Sequence, residues 1–148
     1  MPAKAFLDTN ILLYAISDDP AEAVKRTQAR ALMSGASGVD WGLSIQVLQE
    51  FYVNATAVKR GHAKAELNAD QALAAIERFL SYPAIAITET LLRDAIRLKK
   101  RYKISYWDAA IVAAALELGA TTIYSEDLTH GQSYDDAIVV NPFRVKKS

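Results

Sequence analysis

The sequence predicts an α/β domain in which a mostly parallel sheet of roughly five strands carries helices on both faces. Short apolar segments bounded by turn residues alternate with longer segments of helical periodicity, which is typical of this class. The chain has 148 residues, 51% of them hydrophobic and 23% charged, as in ordinary folded proteins. We find no internal repeat and no linker, so we expect residues 1–148 to form a single domain.

Turn and capping residues set the boundaries of the predicted elements. The predicted strands are residues 3–7, 41–45, 84–87, 121–124 and 137–140. A short helix is predicted after the first strand, and the others are predicted at 20–33 behind the Asp19 cap, at 46–60, from Asn68 or Asp70 to about 80, and from the Thr88 cap to the basic residues near 100. The residues predicted to share buried helix faces are Ile45, Leu48, Tyr52 and Ala55, then Leu73, Ile76 and Leu80, then Leu91, Leu92, Ala95, Ile96 and Leu98.

Residues 104–119 predict a helix that is buried on nearly all sides. Residues 109–118 are almost entirely Ala, Ile, Val and Leu, and Gly119 favours a helix stop. Asp108 on the first turn needs an explanation, because an ionisable residue there has little water around it unless it faces a cleft. One interpretation is a capping box with Ser105. The other is that Asp108 belongs to a carboxylate cluster that binds a divalent cation.

Three further acids are predicted to reach the same edge of the sheet. Asp8 follows the first predicted strand and Asp127 follows the fourth, and ligands of such sheets bind outside the carboxyl ends of the strands. Glu50, one turn into the helix after the second strand, can lean over this edge. The structural alternatives are that Asp8 caps the next helix and that Glu50 faces solvent. Convergence of the acids favours the metal-binding interpretation for each of them.

Five motifs follow one another along the chain: FLDTNILLY at 6–14, IQVLQEFY at 45–52, ISYWDAAIVAAA at 104–115, YSEDL at 124–128 and VNPF at 140–143. Together they resemble those of PIN domains, and more narrowly those of the VapC-type toxins of bacterial toxin–antitoxin pairs. The resemblance spans the whole chain. It implies a PIN-like three-layer α/β/α sandwich and a magnesium- or manganese-dependent endoribonuclease with an RNA substrate. It also implies inhibition by a cognate antitoxin and a homodimer.

The same resemblance assigns the site residues. It implies catalytic roles for the four acids Asp8, Glu50, Asp108 and Asp127. The first, third and fourth of these are the implied metal ligands, and Thr9 and Ser125 are the implied supporting polar groups. Glu126 adjoins Asp127 and is a second candidate for the last acid, although strand register favours Asp127.

Carboxylates suit the chemistry that the resemblance implies. Magnesium prefers oxygen ligands and keeps several waters, and a bound metal lowers the pKa of water enough to generate a hydroxide nucleophile. A histidine base is then not required, so we assign His62 and His130 no catalytic role. His130 remains a candidate for contacting RNA because it lies near Asp127.

The charge and the cysteine content of the sequence limit which partners and which cellular compartment we expect. The 17 basic and 17 acidic residues give a formal net charge of zero, which leaves only local patches as evidence for a nucleic-acid partner. One such patch is Lys99, Lys100, Arg101 and Lys103, which we predict to bind RNA, and the other is Arg144, Lys146 and Lys147. The alternative for each patch is that it serves solubility or places favourable charge at the end of a helix. The chain has no cysteine, no membrane span and no signal peptide pattern, so we expect it in the cytoplasm with no membrane partner.

Other enzyme classes lack their motifs. The sequence has no phosphate-binding loop, no nucleophile elbow and no dinucleotide-binding glycine pattern. An aspartyl phosphatase at Asp8 would want a second Asp where Asn10 stands. The alternative from a different class is a catalytically inactive PIN-like module that binds RNA or protein, which an assay of metal-dependent RNA cleavage would distinguish.

Overall fold

The computed structural model describes residues 4–36 and 38–144, and within them the sheet has six strands. The strands are β1 (Lys4–Leu7), β2 (Asp40–Ser44), β3 (Ala84–Ile85), β4 (Thr122–Tyr124), β5 (Ser133–Tyr134) and β6 (Ala137–Val140). The helices are α1 (Thr9–Ile16), α2 (Ala23–Met33), α3 (Ile45–Ala55), α4 (Ala69–Phe79), α5 (Glu89–Tyr102) and α6 (Tyr106–Leu118). Of the predicted features, Ala3, Lys146 and Lys147 lie outside the described residues.

The strand order β3-β2-β1-β4-β6-β5 confirms the α/β prediction and locates a ligand crevice. All neighbours in this sheet are parallel except β5 and β6. The chain moves outward from β1 to β2 and β3, and then crosses back past β1 to β4. Because parallel crossovers are right-handed, the helices before and after this reversal lie on opposite faces. The reversal creates a topological switch point between β1 and β4, where such sheets bind ligands.

Helix α6 is the buried centre of one helical layer, as the sequence predicts. Every residue from Ala109 to Ala115 is at most 4% exposed. Gly119 ends the helix in the left-handed region with φ 83°, a conformation that glycine adopts without a Cβ penalty. The helix packs against β1, β2 and α5, so its first turn is fixed near the carboxyl edge of the sheet.

Several residues predicted to face the core are instead exposed, and these predictions are wrong. They are Tyr52, Leu73, Leu80, Leu92 and Ile96, which are between 41% and 54% exposed. In α4 the buried residues are Ala72, Ala75 and Phe79, so the contact face is rotated by one position from the predicted stripe. The small alanines permit close approach, and Phe79 meets the Phe51 ring edge-on at 5.3 Å between centroids. The bulky apolar residues of the predicted stripes are thereby left at the surface.

Some predicted boundaries also differ from the structure. Residues 20–22 form a short 3₁₀ turn before α2, α3 ends five residues earlier than predicted, and β3 has only two residues. The short strand β5 was not predicted. It forms a hairpin with β6 through the two-residue turn at Asp135 and Asp136, where Asp135 has φ 51°. None of the helices among the described residues combines the length and apolarity needed to cross a lipid bilayer.

Candidate active site at the switch point

Asp8 occupies the switch point, and both of its carboxylate oxygens accept hydrogen bonds. Its backbone N–H donates to the carbonyl of Tyr124 at 3.0 Å, which joins the end of β1 to the end of β4. Oδ1 accepts from the backbone N–H of Thr9 at 2.8 Å, and Oδ2 accepts from the hydroxyl of Ser125 at 2.7 Å. Asp8 is therefore the N-cap of α1, as the structural alternative predicted, and it also contacts one of the two predicted supporting groups.

Burial makes the charge of Asp8 unfavourable. Only 7% of the residue is exposed, and desolvation raises the pKa of its carboxyl to about 6 from 3.8. The hydrogen bonds from Ser125 and Thr9 lower this pKa, whereas the neighbouring charges of Glu50 and Asp127 raise it further. Glu50 and Asp127 thus each lie close enough to Asp8 to disfavour its charge.

Glu50 is held at this edge by a threonine and a glutamine. The hydroxyl of Thr9, the other predicted supporting group, donates to Oε2 at 2.7 Å, and Nε2 of Gln46 donates to Oε1 at 3.1 Å. The same Nε2 also donates to the carbonyl of Trp107 at 3.4 Å, so Gln46 connects α3 to the first turn of α6. Gln46 was not predicted to be a site residue. The signal that could have found it is its place in an apolar helix, one turn before the predicted acid Glu50.

Ser125 organises the turn that carries Asp127. Its Oγ accepts from the backbone N–H groups of Asp127 at 3.2 Å and Leu128 at 3.1 Å, while its hydroxyl donates to Asp8. The side chain of Asn10 on α1 also binds this turn. Its Nδ2 donates to Oδ2 of Asp127 at 3.2 Å, and its Oδ1 accepts from the backbone N–H of Glu126 at 3.2 Å. Asp127 is exposed.

Glu126 is engaged on the other side of α1. Its Oε1 accepts from the hydroxyl of Tyr14 at 2.5 Å, and its Oε2 pairs with Nζ of Lys25 at 2.6 Å. Lys25 lies 4.9 Å from the centroid of the Tyr14 ring, and that ring packs edge-on against Phe143. Both carboxylate oxygens of Glu126 are thus already used by α1 and α2, whereas the carboxylate of Asp127 accepts, among the described residues, only from the Asn10 amide.

Asp108 lies on the first turn of α6 and is exposed rather than enclosed in a cleft. Its backbone N–H donates to Oγ of the N-cap Ser105 at 3.1 Å. Among the described hydrogen bonds and ion pairs none involves its carboxylate, so only half of the capping box is present. No contact of the described residues joins the carboxylate of Asp108 to the other three acids, although the bond between Gln46 and Trp107 fixes the adjacent residue to α3.

The predicted RNA-binding residues lie at the end of α5, and all four are exposed. Arg101 pairs with Asp135 at 3.4 Å, so part of its charge is neutralised. Lys103 ends the helix in the left-handed region with φ 55°. His130, the weaker candidate, accepts the backbone N–H of Asn141 at Nδ1 with a distance of 3.0 Å.

Asp8, Glu50 and Asp127 form no ion pair with a basic residue in the described ranges. In the part of the chain that the structure describes, the ion pairs involve only Glu126 and Asp135 among the acids, so none neutralises Asp8, Glu50 or Asp127. No three His, Cys, Asp or Glu side chains within residues 4–36 and 38–144 converge into a preformed cage. Magnesium does not need one, because it is usually held by one or two carboxylates, waters and substrate phosphates. Uncompensated oxygen ligands beside a buried acid therefore fit a hard divalent cation.

A model of the PIN domain family matches residues 5–131, which include all four predicted acids. The chain belongs to the PIN domain family. The match confirms the family-level resemblance and the PIN-like sandwich. No curated protein sequence matches the chain significantly.

Solved structures with the same fold include proteins of toxin–antitoxin systems. A toxin–antitoxin complex from Klebsiella pneumoniae is 18% identical with a TM-score of 0.66, and the match covers 95% of this PIN domain and 99% of that chain. VapC20 of Mycobacterium tuberculosis, a sarcin–ricin loop cleaving toxin, is 21% identical with a TM-score of 0.61 over 83% and 89% of the two chains. VapBC2 of Rickettsia felis, bound to a promoter DNA fragment, is 19% identical with a TM-score of 0.61 over 92% and 96%. At these identities the similarity shows the fold alone.

Proposed function

We propose that this PIN domain is a metal-dependent endoribonuclease of the VapC type, the toxin of a toxin–antitoxin pair. The observation that carries the proposal is the group of acids at the switch point. Asp8 is buried between two hydroxyl-bearing residues, Glu50 and Asp127 lie within electrostatic range of it, and none of the three has a basic partner among the described residues. The fold shared with a sarcin–ricin loop cleaving toxin supports RNA as the substrate class.

The proposed roles follow from the chemistry of each side chain. Asp8, Asp108 and Asp127 hold Mg²⁺ or Mn²⁺, and Glu50 is the fourth catalytic acid. Thr9 orients Glu50 through its hydroxyl, and Ser125 orients Asp8 in the same way. Asp127, rather than Glu126, serves as the last acid, because Tyr14 and Lys25 already occupy both oxygens of Glu126.

A metal ion bound by these acids would supply charge stabilisation at the phosphoryl group and a water of lowered pKa. The carboxylates would hold this metal ion, and the hydroxyls of Thr9 and Ser125 keep the carboxylates of Glu50 and Asp8 in position. No imidazole base is assigned to this reaction.

The proposed partners are a cognate antitoxin and a second copy of the chain, and the proposed compartment is the cytoplasm. The three solved relatives described above support a toxin role, and two of them are complexes with an antitoxin. The present chain has an apolar groove of about 500 Å³ between α3 and α4, lined by Ile45, Leu48, Gln49, Tyr52, Val53, Ile76 and Leu80. Protein partners commonly cover exposed apolar surfaces of this kind.

The direct test of the proposed function is cleavage of a labelled single-stranded RNA by the purified chain. We expect products with Mg²⁺ or Mn²⁺ and none with a chelator. A folded protein that binds RNA but cleaves none with either metal would support the inactive binding module instead.

Millimolar Mg²⁺ or Mn²⁺ is expected to raise the melting temperature. A ligand that binds only the folded state at a hundredfold excess over its Kd adds about 2.7 kcal/mol to the free energy of unfolding. Differential scanning calorimetry would measure the shift, with Asp8→Asn as the variant that should lose most of it. An unchanged melting temperature with both metals would contradict the assignment of these acids as ligands.

Neutralising the basic residues at the end of α5 is expected to weaken RNA binding without affecting metal binding. Each lost phosphate contact should reduce the slope of log K against log salt by roughly one unit. The variant replaces Lys99, Lys100 and Lys103 with Gln, and Lys64→Gln, an exposed lysine in another loop, is the control. If the slope of log K against log salt does not change, these lysines serve solubility or stabilise the end of the helix and do not bind RNA.

A further inference from the structure

Trp107 is unusually exposed for its type and position. It is 67% exposed on the first turn of α6, whereas the other tryptophan, Trp41, is 3% exposed. The ring of Tyr106 supports its edge, with 5.1 Å between centroids and planes at 79°. An exposed indole at the start of a helix whose residues 109–115 are buried is a candidate binding surface.

The backbone of Trp107 is tied to the group of acids. Its carbonyl accepts from Nε2 of Gln46 at 3.4 Å, and the same nitrogen donates to Glu50 at 3.1 Å. Asp108, a proposed metal ligand, is the next residue. The indole of Trp107 therefore extends from a backbone that is fixed next to the proposed metal-binding acids.

Apart from the adjacent Asp108, which is a proposed metal ligand, the charges close to Trp107 in the sequence are positive and favour a nucleic acid over a protein partner. Trp107 lies at the N-terminal end of α6, where the helix dipole is positive. Lys99, Lys100 and Lys103 are exposed just before this helix, and none of them belongs to an ion pair among the described residues. Aromatic rings beside basic residues are the usual means of binding single strands, since bases stack on the ring while cations attract the backbone.

We propose that Trp107 is a stacking platform for a base of single-stranded RNA, adjacent to the phosphate that is cut. This inference rests on the proposed function and adds to it a residue that binds a base rather than a metal. It implies that unpaired nucleotides are preferred over duplex at the site, because a paired base has no free face to offer.

Tryptophan fluorescence in the presence of a chelator tests binding without cleavage. Oligouridylate is expected to quench the fluorescence of the wild-type chain, and a duplex of equal length should quench it less. In Trp107→Phe the signal comes from the buried Trp41 alone and should not respond, whereas Trp41→Phe should keep the response if it folds. A wild-type signal that no RNA changes would overturn the platform and favour a protein partner at Trp107.

Cleavage kinetics separate this proposal from the proposed function. Trp107→Ala should raise KM by about 5- to 150-fold, the range that loss of one stacked base produces, with a smaller effect on kcat. Trp107→Phe should keep most of the affinity, and Val24→Ala, which removes an exposed apolar side chain from α2, should leave KM unchanged. Normal KM in an active Trp107→Ala protein would overturn the platform alone. Absence of cleavage by the wild-type chain would overturn the proposed function, and the fluorescence test would still decide the platform.

Discussion

Asp108→Asn is expected to reduce RNA cleavage by orders of magnitude while leaving the metal-free protein as stable as the wild type. The Ser105 cap uses the backbone N–H of Asp108, which asparagine retains, so the loss of stability should stay within about 1 kcal/mol. If the carboxylate of Asp108 binds the metal, in contrast, the substitution removes its charge and with it most of the affinity of the site for the metal. Steady-state cleavage and thermal unfolding of the same preparation measure the two effects.

Asp70→Asn is the matched control for this experiment. Asp70 is an exposed acid on the first turn of α4, so its replacement removes the same favourable charge from a helix N-terminus. Both variants should change stability similarly, but only Asp108→Asn should lose activity. A folded Asp108→Asn protein that cleaves RNA at the wild-type rate would show that this acid is only a neighbour of the cap.

The stability of the metal-free protein is expected to fall relative to Asp8→Asn as the pH rises from about 4 to 6. The folded-state pKa of Asp8 is raised to about 6 from 3.8 by burial, so the folded protein binds this proton more tightly than the unfolded chain. The resulting stabilisation is complete below the unfolded pKa and is lost as the pH passes through the folded value. Over that interval it amounts to about 3 kcal/mol.

Urea unfolding of both proteins at pH 4, 5, 6 and 7 with a chelator would measure this difference. Subtracting one free energy of unfolding from the other cancels the titration of most other groups. Saturating Mg²⁺ should reverse the trend for the wild type at neutral pH, since a cation favours the ionised carboxyl. A difference that stays constant from pH 4 to 7 would mean that Asp8 is not held in an environment that opposes its charge.

The sequence predicted the layers, and also that Asp8 and Asp127 lie at one edge of the sheet, because both features depend on periodicity and topology. Parallel strands bring their carboxyl ends to one edge, so Asp8 and Asp127 meet there whatever the detailed packing. Residues 109–115 of α6 are all buried, so their burial could be predicted without knowing which side of the helix faces solvent. These features follow from local pattern and chain order alone.

Contacts between distant residues were beyond the sequence analysis. Glu126 reaches Tyr14 and Lys25 across more than a hundred positions, and only the packed structure shows that they occupy its oxygens and leave Asp127 available. The rotated face of α4 has a similar cause. Leu73 and Ile76 directly follow the buried Ala72 and Ala75, and the choice between these adjacent faces is made by close packing, not by hydrophobicity.

If the acids at the switch point bind a metal ion and act with it on RNA, cleavage must depend both on Asp8 and on the metal. The most direct measurement incubates total RNA with the wild-type chain or Asp8→Asn, each with Mg²⁺ or with a chelator, and sequences the new ends. We expect a defined set of new ends only for the wild-type chain with metal. Equal cleavage in all four samples, or none in any, would contradict it.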